Sequence, residues 1–138
     1  MKRKRFFVML ALLCGLAVGV YAQDIRNANG ASVGKIQSDG TVRGSSGNSL
    51  GKIEKDGTVR NANGASVGKI ESDGSIRNAS GSYLGKVHSD GTVRNASGSY
   101  IGKVQTDGTV RNSSGSNIGS ARGVKREWAA LWFFFKLF

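Results

Sequence analysis

The 138-residue chain has one cysteine, Cys14, one histidine, His88, and no proline. A single thiol forms no internal disulfide, and thiolate catalysis, iron–sulfur ligation and cysteine-bound zinc have no ligand set to draw on. A lone imidazole makes no metal site, and His88 occupies a slot filled elsewhere by Gln37, Glu54, Glu71 and Gln105, which marks it as an exposed strand residue. Serines are abundant, but no histidine recurs beside them and no G-x-S-x-G elbow occurs, so nucleophilic hydrolysis lacks its parts. No glycine-rich stretch ends in the lysine-serine of a phosphate loop. Acidic residues number only nine against twenty basic ones. The recurring aspartates lack the extra oxygen ligands that calcium needs and read as turn formers. The sequence therefore points away from an enzyme, a cofactor and a metal.

Long apolar runs are also scarce. The longest, Phe6 to Val20, follows four cations, Lys2 to Arg5, and precedes Val20-Tyr21-Ala22. It is shorter than the roughly 20 residues of a membrane-spanning helix, and its layout is that of a secretory signal cleaved after Ala22. The expected organisation is a signal peptide over 1–22, a repeat domain over 23–123 and a tail over 124–138, with export to the periplasm or the exterior. Setting aside the four cations of residues 1–22 leaves sixteen basic and nine acidic residues, a net charge of +7. That excess favours anionic partners such as an acidic glycan, an envelope polymer or a negative membrane surface. Nucleic acid is not indicated, because no recognition helix or aromatic-basic platform accompanies the charge.

What the chain does contain is a seventeen-residue repeat, D-G-T-V-R-N-A-S-G-S-Y-L-G-K-V-x-S, running from Asp39 to about Ser120 after a truncated copy at Asp24. Self-similarity at a fixed period is the signature of a repeat architecture. D-G pairs at Asp39, Asp56, Asp73, Asp90 and Asp107 alternate with N-G or S-G pairs, and each pair separates two short β-type segments. These are hairpin signals, so the repeat domain reads as an all-β antiparallel meander.

Register follows from which aliphatics must share a face. A three-residue loop over Ser38-Asp39-Gly40 pairs Gln37 with Thr41 and places Ile36 opposite Val42, both facing inward. The same pairing recurs as Ile53/Val59, Ile70/Ile76, Val87/Val93 and Val104/Val110. On the outer face Lys35 then lies across from Arg43. A third apolar slot, Val33, Leu50, Val67, Leu84, Ile101 and Ile118, breaks strict alternation and precedes a glycine, where a bulge or bend would bring both side chains inward. Counted from the D-G turns there are five hairpins, which close around an axis and so remove exposed sheet edges. With its D-G-T-[VI]-R and G-K-[VI] units and aromatic-rich end, the chain resembles the small secreted bacterial repeat proteins described as five-fold beta-flower proteins. The resemblance covers nearly all of residues 23–138 and implies an architecture, not an activity.

After Gly123 the composition changes to V-K-R-E-W-A-A-L-W-F-F-F-K-L-F. Three aliphatics per unit bury too little apolar surface to offset the ordering of seventeen residues, and the tail is the source of the missing core. It is expected to enter the centre as a short helix begun near Lys125, with Trp128, Leu131, Trp132, Phe135 and Phe138 buried. The competing reading docks the tail on a membrane or a partner, since its aromatics stand beside Lys125, Arg126 and Lys136, as in an interfacial anchor.

The candidate binding residues are cations repeated in two slots, Arg43, Arg60, Arg77, Arg94 and Arg111 in one and Lys35, Lys52, Lys69, Lys86 and Lys103 in the other. Repetition suits a repetitive anionic polymer bound by avidity, and Tyr83 and Tyr100 add sugar-stacking surfaces. The alternative is that a charged outer wall simply keeps a glycine-rich sheet soluble.

Overall fold

A computed structural model describes residues 23–138. The signal-peptide reading of residues 1–22, which includes Cys14, falls outside the described residues.

Twelve short strands follow one another in chain order: β1 (Asp24–Asn27), β2 (Ser32–Ile36), β3 (Thr41–Gly44), β4 (Ser49–Ile53), β5 (Thr58–Asn61), β6 (Ser66–Ile70), β7 (Ser75–Asn78), β8 (Tyr83–Val87), β9 (Thr92–Asn95), β10 (Tyr100–Val104), β11 (Thr109–Asn112) and β12 (Asn117–Ala121). Each pairs antiparallel with its chain neighbours, and β1 pairs with β12 to close a barrel. The all-β class and the meander are thus those the sequence requires. Five D-G hairpins are present, but the barrel has six units, because a sixth is assembled from the two ends of the domain. Ile25 of β1 faces Ala121 of β12. Gln23 stands in for the absent turn glycine, its carbonyl accepting from the Ile36 N–H at 3.2 Å as that of Gly40 accepts from Ile53 at 2.8 Å. Closure leaves no strand edge to pair with another chain.

The D-G turns have the expected three-residue form. Gln37 N–H donates to Thr41 O at 2.8 Å and Gly40 N–H to Gln37 O at 2.9 Å, while Asp39 Oδ1 accepts from Thr41 N–H at 2.9 Å. Gly40 has φ +93° and lies so close to the Ile53 carbonyl of the next unit that a Cβ has no room. Lys35 opposes Arg43 and Ile36 opposes Val42, with the same pattern at β4/β5, β6/β7, β8/β9 and β10/β11. The third apolar slot resolves as a β-bulge. Val42 pairs with Gly51 and Arg43 with Ser49, so Leu50 is the extra residue, and this slot packs, half-buried, against the core. At the opposite end of the barrel, the N-G turns are held by the preceding asparagine: Asn27 Oδ1 accepts from the N–H groups of Asn29 and Ala31 at 3.0 and 3.1 Å.

The tail runs through the barrel axis. Helix α1 (Arg126–Ala130) enters from the D-G end and continues into a π-helical turn, Leu131–Phe135, in place of a single regular helix. Ala129, Ala130 and Leu131 are fully buried among the ring of isoleucines and valines. Only small residues or one axial leucine fit where a helix threads twelve strands. Beyond that ring each unit presents a glycine, and each glycine faces one tail side chain. A Cβ at Gly119 would lie 2.6 Å from Phe133, at Gly85 2.9 Å from Phe135, at Gly68 2.8 Å from Leu137 and at Gly51 3.2 Å from Phe138, while Gly34 abuts Trp132 and Gly102 abuts Phe134. In the order of the closed barrel these glycines belong to β2, β12, β10, β8, β6 and β4, so the tail makes one circuit, spoke by spoke. Lys136 is the skipped position. Its left-handed backbone (φ 48°, ψ 51°) and its N–H bond to Leu131 O at 2.7 Å turn its side chain out to solvent and aim Leu137 and Phe138 at the last two units.

Candidate functional site

The outer wall is built by strand alternation. With Ile36 and Val42 facing the axis, Lys35 and Arg43 must face out, and the repeat copies this pair as Lys52/Arg60, Lys69/Arg77, Lys86/Arg94 and Lys103/Arg111. The sixth unit breaks the pattern, with Arg26 opposite Ser120. Arg26 belongs to the arginine slot although the D-G count leaves it out.

The arginines are braced. In all six units Nη1 donates to the glycine carbonyl of the adjoining N-G turn: Arg26 to Gly30 at 2.8 Å, Arg43 to Gly47, Arg60 to Gly64 and Arg94 to Gly98 at 3.0 Å, Arg77 to Gly81 at 3.1 Å and Arg111 to Gly115 at 2.9 Å. Four also donate through Nε to the residue six positions earlier. Two of these acceptors are carboxylates, Glu54 at 2.8 Å from Arg60 and Glu71 at 2.7 Å from Arg77, and two are amides, Gln37 beside Arg43 and Gln105 beside Arg111. Arg94 differs: His88 holds that position, and Arg94 Nε makes no such bond. Arg94 is exposed where Arg43, Arg60, Arg77 and Arg111 are half-buried. The five lysines enter no ion pair among the described residues.

Both exposed tyrosines adjoin this sector. Tyr83 and Tyr100 are 38% and 40% exposed. The Arg77 guanidinium stands 5.7 Å from the Tyr83 ring centroid, and Tyr100 pairs across the sheet with Arg94. Strands β7 to β10 thus carry Tyr83, Lys86, Arg94, Tyr100 and Lys103, with Glu71, which is engaged by Arg77, and the turn residues Asp73 and Asp90 the acids beside them. This sector can stack sugar rings and pair with anionic groups.

Charge is segregated along the axis. The five D-G aspartates rim one end, and each is held below the usual carboxylate range, first by the N–H of the residue two positions on and then by that residue's hydroxyl. The arginines lean to the opposite end. There the tail residues Trp132, Phe133, Phe134, Phe135, Leu137 and Phe138 form a half-buried apolar disc. Trp128, at the D-G end, is also half-buried, and Lys125 Nζ lies 5.0 Å over its ring. Phe133, Phe134 and Leu137 join the tail residues singled out from sequence. Their signal was the match between six large apolar residues after Leu131 and six slot glycines.

No curated protein and no solved structure matches the chain. A family model described as the 5-fold beta-flower protein matches residues 22–137, the whole barrel and nearly all of its tail. The chain therefore belongs to the 5-fold beta-flower protein family.

Proposed function

We propose that this small repeat protein is an exported, non-enzymatic binder of an anionic polymer, an acidic glycan or envelope polymer, which it engages through the cationic wall. The supporting observation is the β7–β10 sector, where Arg94 is exposed and uncompensated between Lys86 and Lys103 and beside the two exposed tyrosines. The layout of residues 1–22 supports export. Repetition around the barrel supplies avidity for a polymer with a regular charge spacing.

The test separates charge from fold. Because the arginines brace turns, the variant replaces Lys35, Lys52, Lys69, Lys86 and Lys103 with Gln and keeps every arginine bond. On an acidic-glycan array the parent binds with a strong salt dependence and the variant does not. Equal binding by both refutes the reading.

A second reading rests on the half-buried disc at the end where the arginines lean. An apolar face ringed by cations suits docking on an anionic membrane. Flotation of residues 23–138 with anionic vesicles, and its loss when Phe133 and Phe134 become Ser in a variant that stays folded, supports that reading; no flotation excludes it.

A further inference from the structure

The D-G end holds a half-open cavity of about 620 Å³ between the tail helix and the turns that join β4 to β5 and β6 to β7. Helix α1 covers this mouth unevenly. Helix α1 leans on β8 and β10, and Arg126 Nη1 donates to Ser89 O at 3.1 Å. The wall at β6 is left less covered. Ile36, Ile53, Val87, Val104 and Ala121 are buried, but Ile70, in the same slot, is half-exposed. Gly57, whose carbonyl accepts from Ile70 N–H at 2.8 Å, is half-exposed too, where Gly40, Gly74, Gly91 and Gly108 are buried.

The floor is apolar, and Trp128 forms one side. Carboxylates dominate the rim, with Asp39, Asp56, Asp73 and Glu127 added to Glu54 and Glu71, which are already paired to arginine. Lys55, Lys125 and His88 also line it, fewer than the acids. An anionic ligand meets net repulsion there, and a neutral apolar one strips water from ionised groups without pairing them. A bare metal ion finds no group of three or more ligating side chains among the described residues. The Trp128 face already accepts an ammonium, that of Lys125. The volume falls within the roughly 300–1,000 Å³ of small-molecule sites.

We propose that this cavity binds a small organic cation with an apolar body, an alkyl or aryl ammonium, whose apolar part covers Ile70 and Trp128 and whose charge sits among Asp56, Asp73 and Glu127. The site is separate from the wall and has the opposite charge preference, so one chain holds an anionic polymer outside and a cationic amphiphile at its mouth.

The test titrates isotope-labelled residues 23–138 with hexyltrimethylammonium, hexanesulfonate and hexanol, following the Gly57 and Gly74 amides, the Ile70 methyls and the Trp128 indole by NMR. The ammonium gives saturable shifts confined to those groups, and the other two bind about tenfold more weakly or not at all. Glu127→Gln, at a position that braces no turn, weakens the ammonium and leaves hexanol unchanged. No saturable shift with the ammonium, or equal affinity for hexanesulfonate, overturns the proposal. Shifts spread over the disc residues instead of the mouth overturn it as well.

Discussion

Leu131→Ala is the substitution that most directly probes how the barrel is filled. Leu131 lies at 0% exposure on the axis, where the entering helix meets the ring of Ile and Val side chains. Truncating a buried leucine costs about 2–5 kcal/mol, and the value depends on how far the surroundings collapse into the space. Collapse is blocked here. The wall is a closed hydrogen-bonded barrel, and the residues before Leu131 are alanines, already too small to swing inward. The upper part of the range applies, about 3–5 kcal/mol. For a chain of this length ~4 °C per kcal/mol gives a fall in Tm of roughly 12–20 °C. Thermal and urea unfolding of residues 23–138, parent against variant, read this directly. Tyr100→Ala, at an exposed wall position, is the control and stays within about 0.5 kcal/mol. A loss under about 1 kcal/mol at Leu131 refutes the reasoning, since it means the barrel does not depend on its axial side chain.

The D-G aspartates make stability acid-sensitive with a definite sign. Their carboxyls are depressed in the fold by Thr or Ser N–H and hydroxyl groups, so their contribution is complete above the ordinary carboxylate range and is lost as pH falls through their lowered values. Urea midpoints recorded across the acid range fall with pH in the parent and fall less steeply in Asp39→Asn, Asp56→Asn and Asp73→Asn, which keep the turn acceptor; parallel profiles contradict this. At the skipped tail position, Lys136→Gly relieves a left-handed backbone that costs a non-glycine residue about 1–2 kcal/mol. The variant gains up to ~1 kcal/mol once the extra freedom of its unfolded chain is deducted, and a destabilised variant counts against the turn geometry at Lys136.

The strand register was legible from residues alone because a period of two leaves one solution per turn: Ile36 and Val42 can share the inner face only with the longer loop. The bulge was legible as a choice, since Leu50 and Ile53 stand three apart, but only the pairing partners decide between bulge and bend. The sixth unit was harder to see. Its two strands, β1 and β12, stand at opposite ends of the repeat region, so no D-G turn joins them, and Gln23 and Ala121 disguise the slots of a glycine and an isoleucine. The tail's path was obscured by the habit of burying one face of a helix. A segment enclosed by a ring buries every direction, so Phe133 and Phe134 pack as well as Trp132 and Phe135, and a π-helical turn suits that better than an amphipathic helix. The arginine slot read as a free cationic ring, whereas each guanidinium is half committed to a turn carbonyl. What distinguishes Arg94 is a substitution six residues away, at His88, whose effect requires knowing that the residue in that slot accepts from the arginine Nε in the other D-G units. The cavity over Ile70 has no sequence signal, because it depends on which strands α1 packs against.

The central claim is that six glycines receive six tail side chains in ring order, and a NOESY spectrum of residues 23–138 tests it. Aromatic protons of Phe133, Phe134 and Phe135 are expected to show contacts to the α-protons of Gly119, Gly102 and Gly85 respectively, with those α-protons displaced by ring currents. Tail resonances at random-coil positions, or contacts to glycines out of that order, would contradict it.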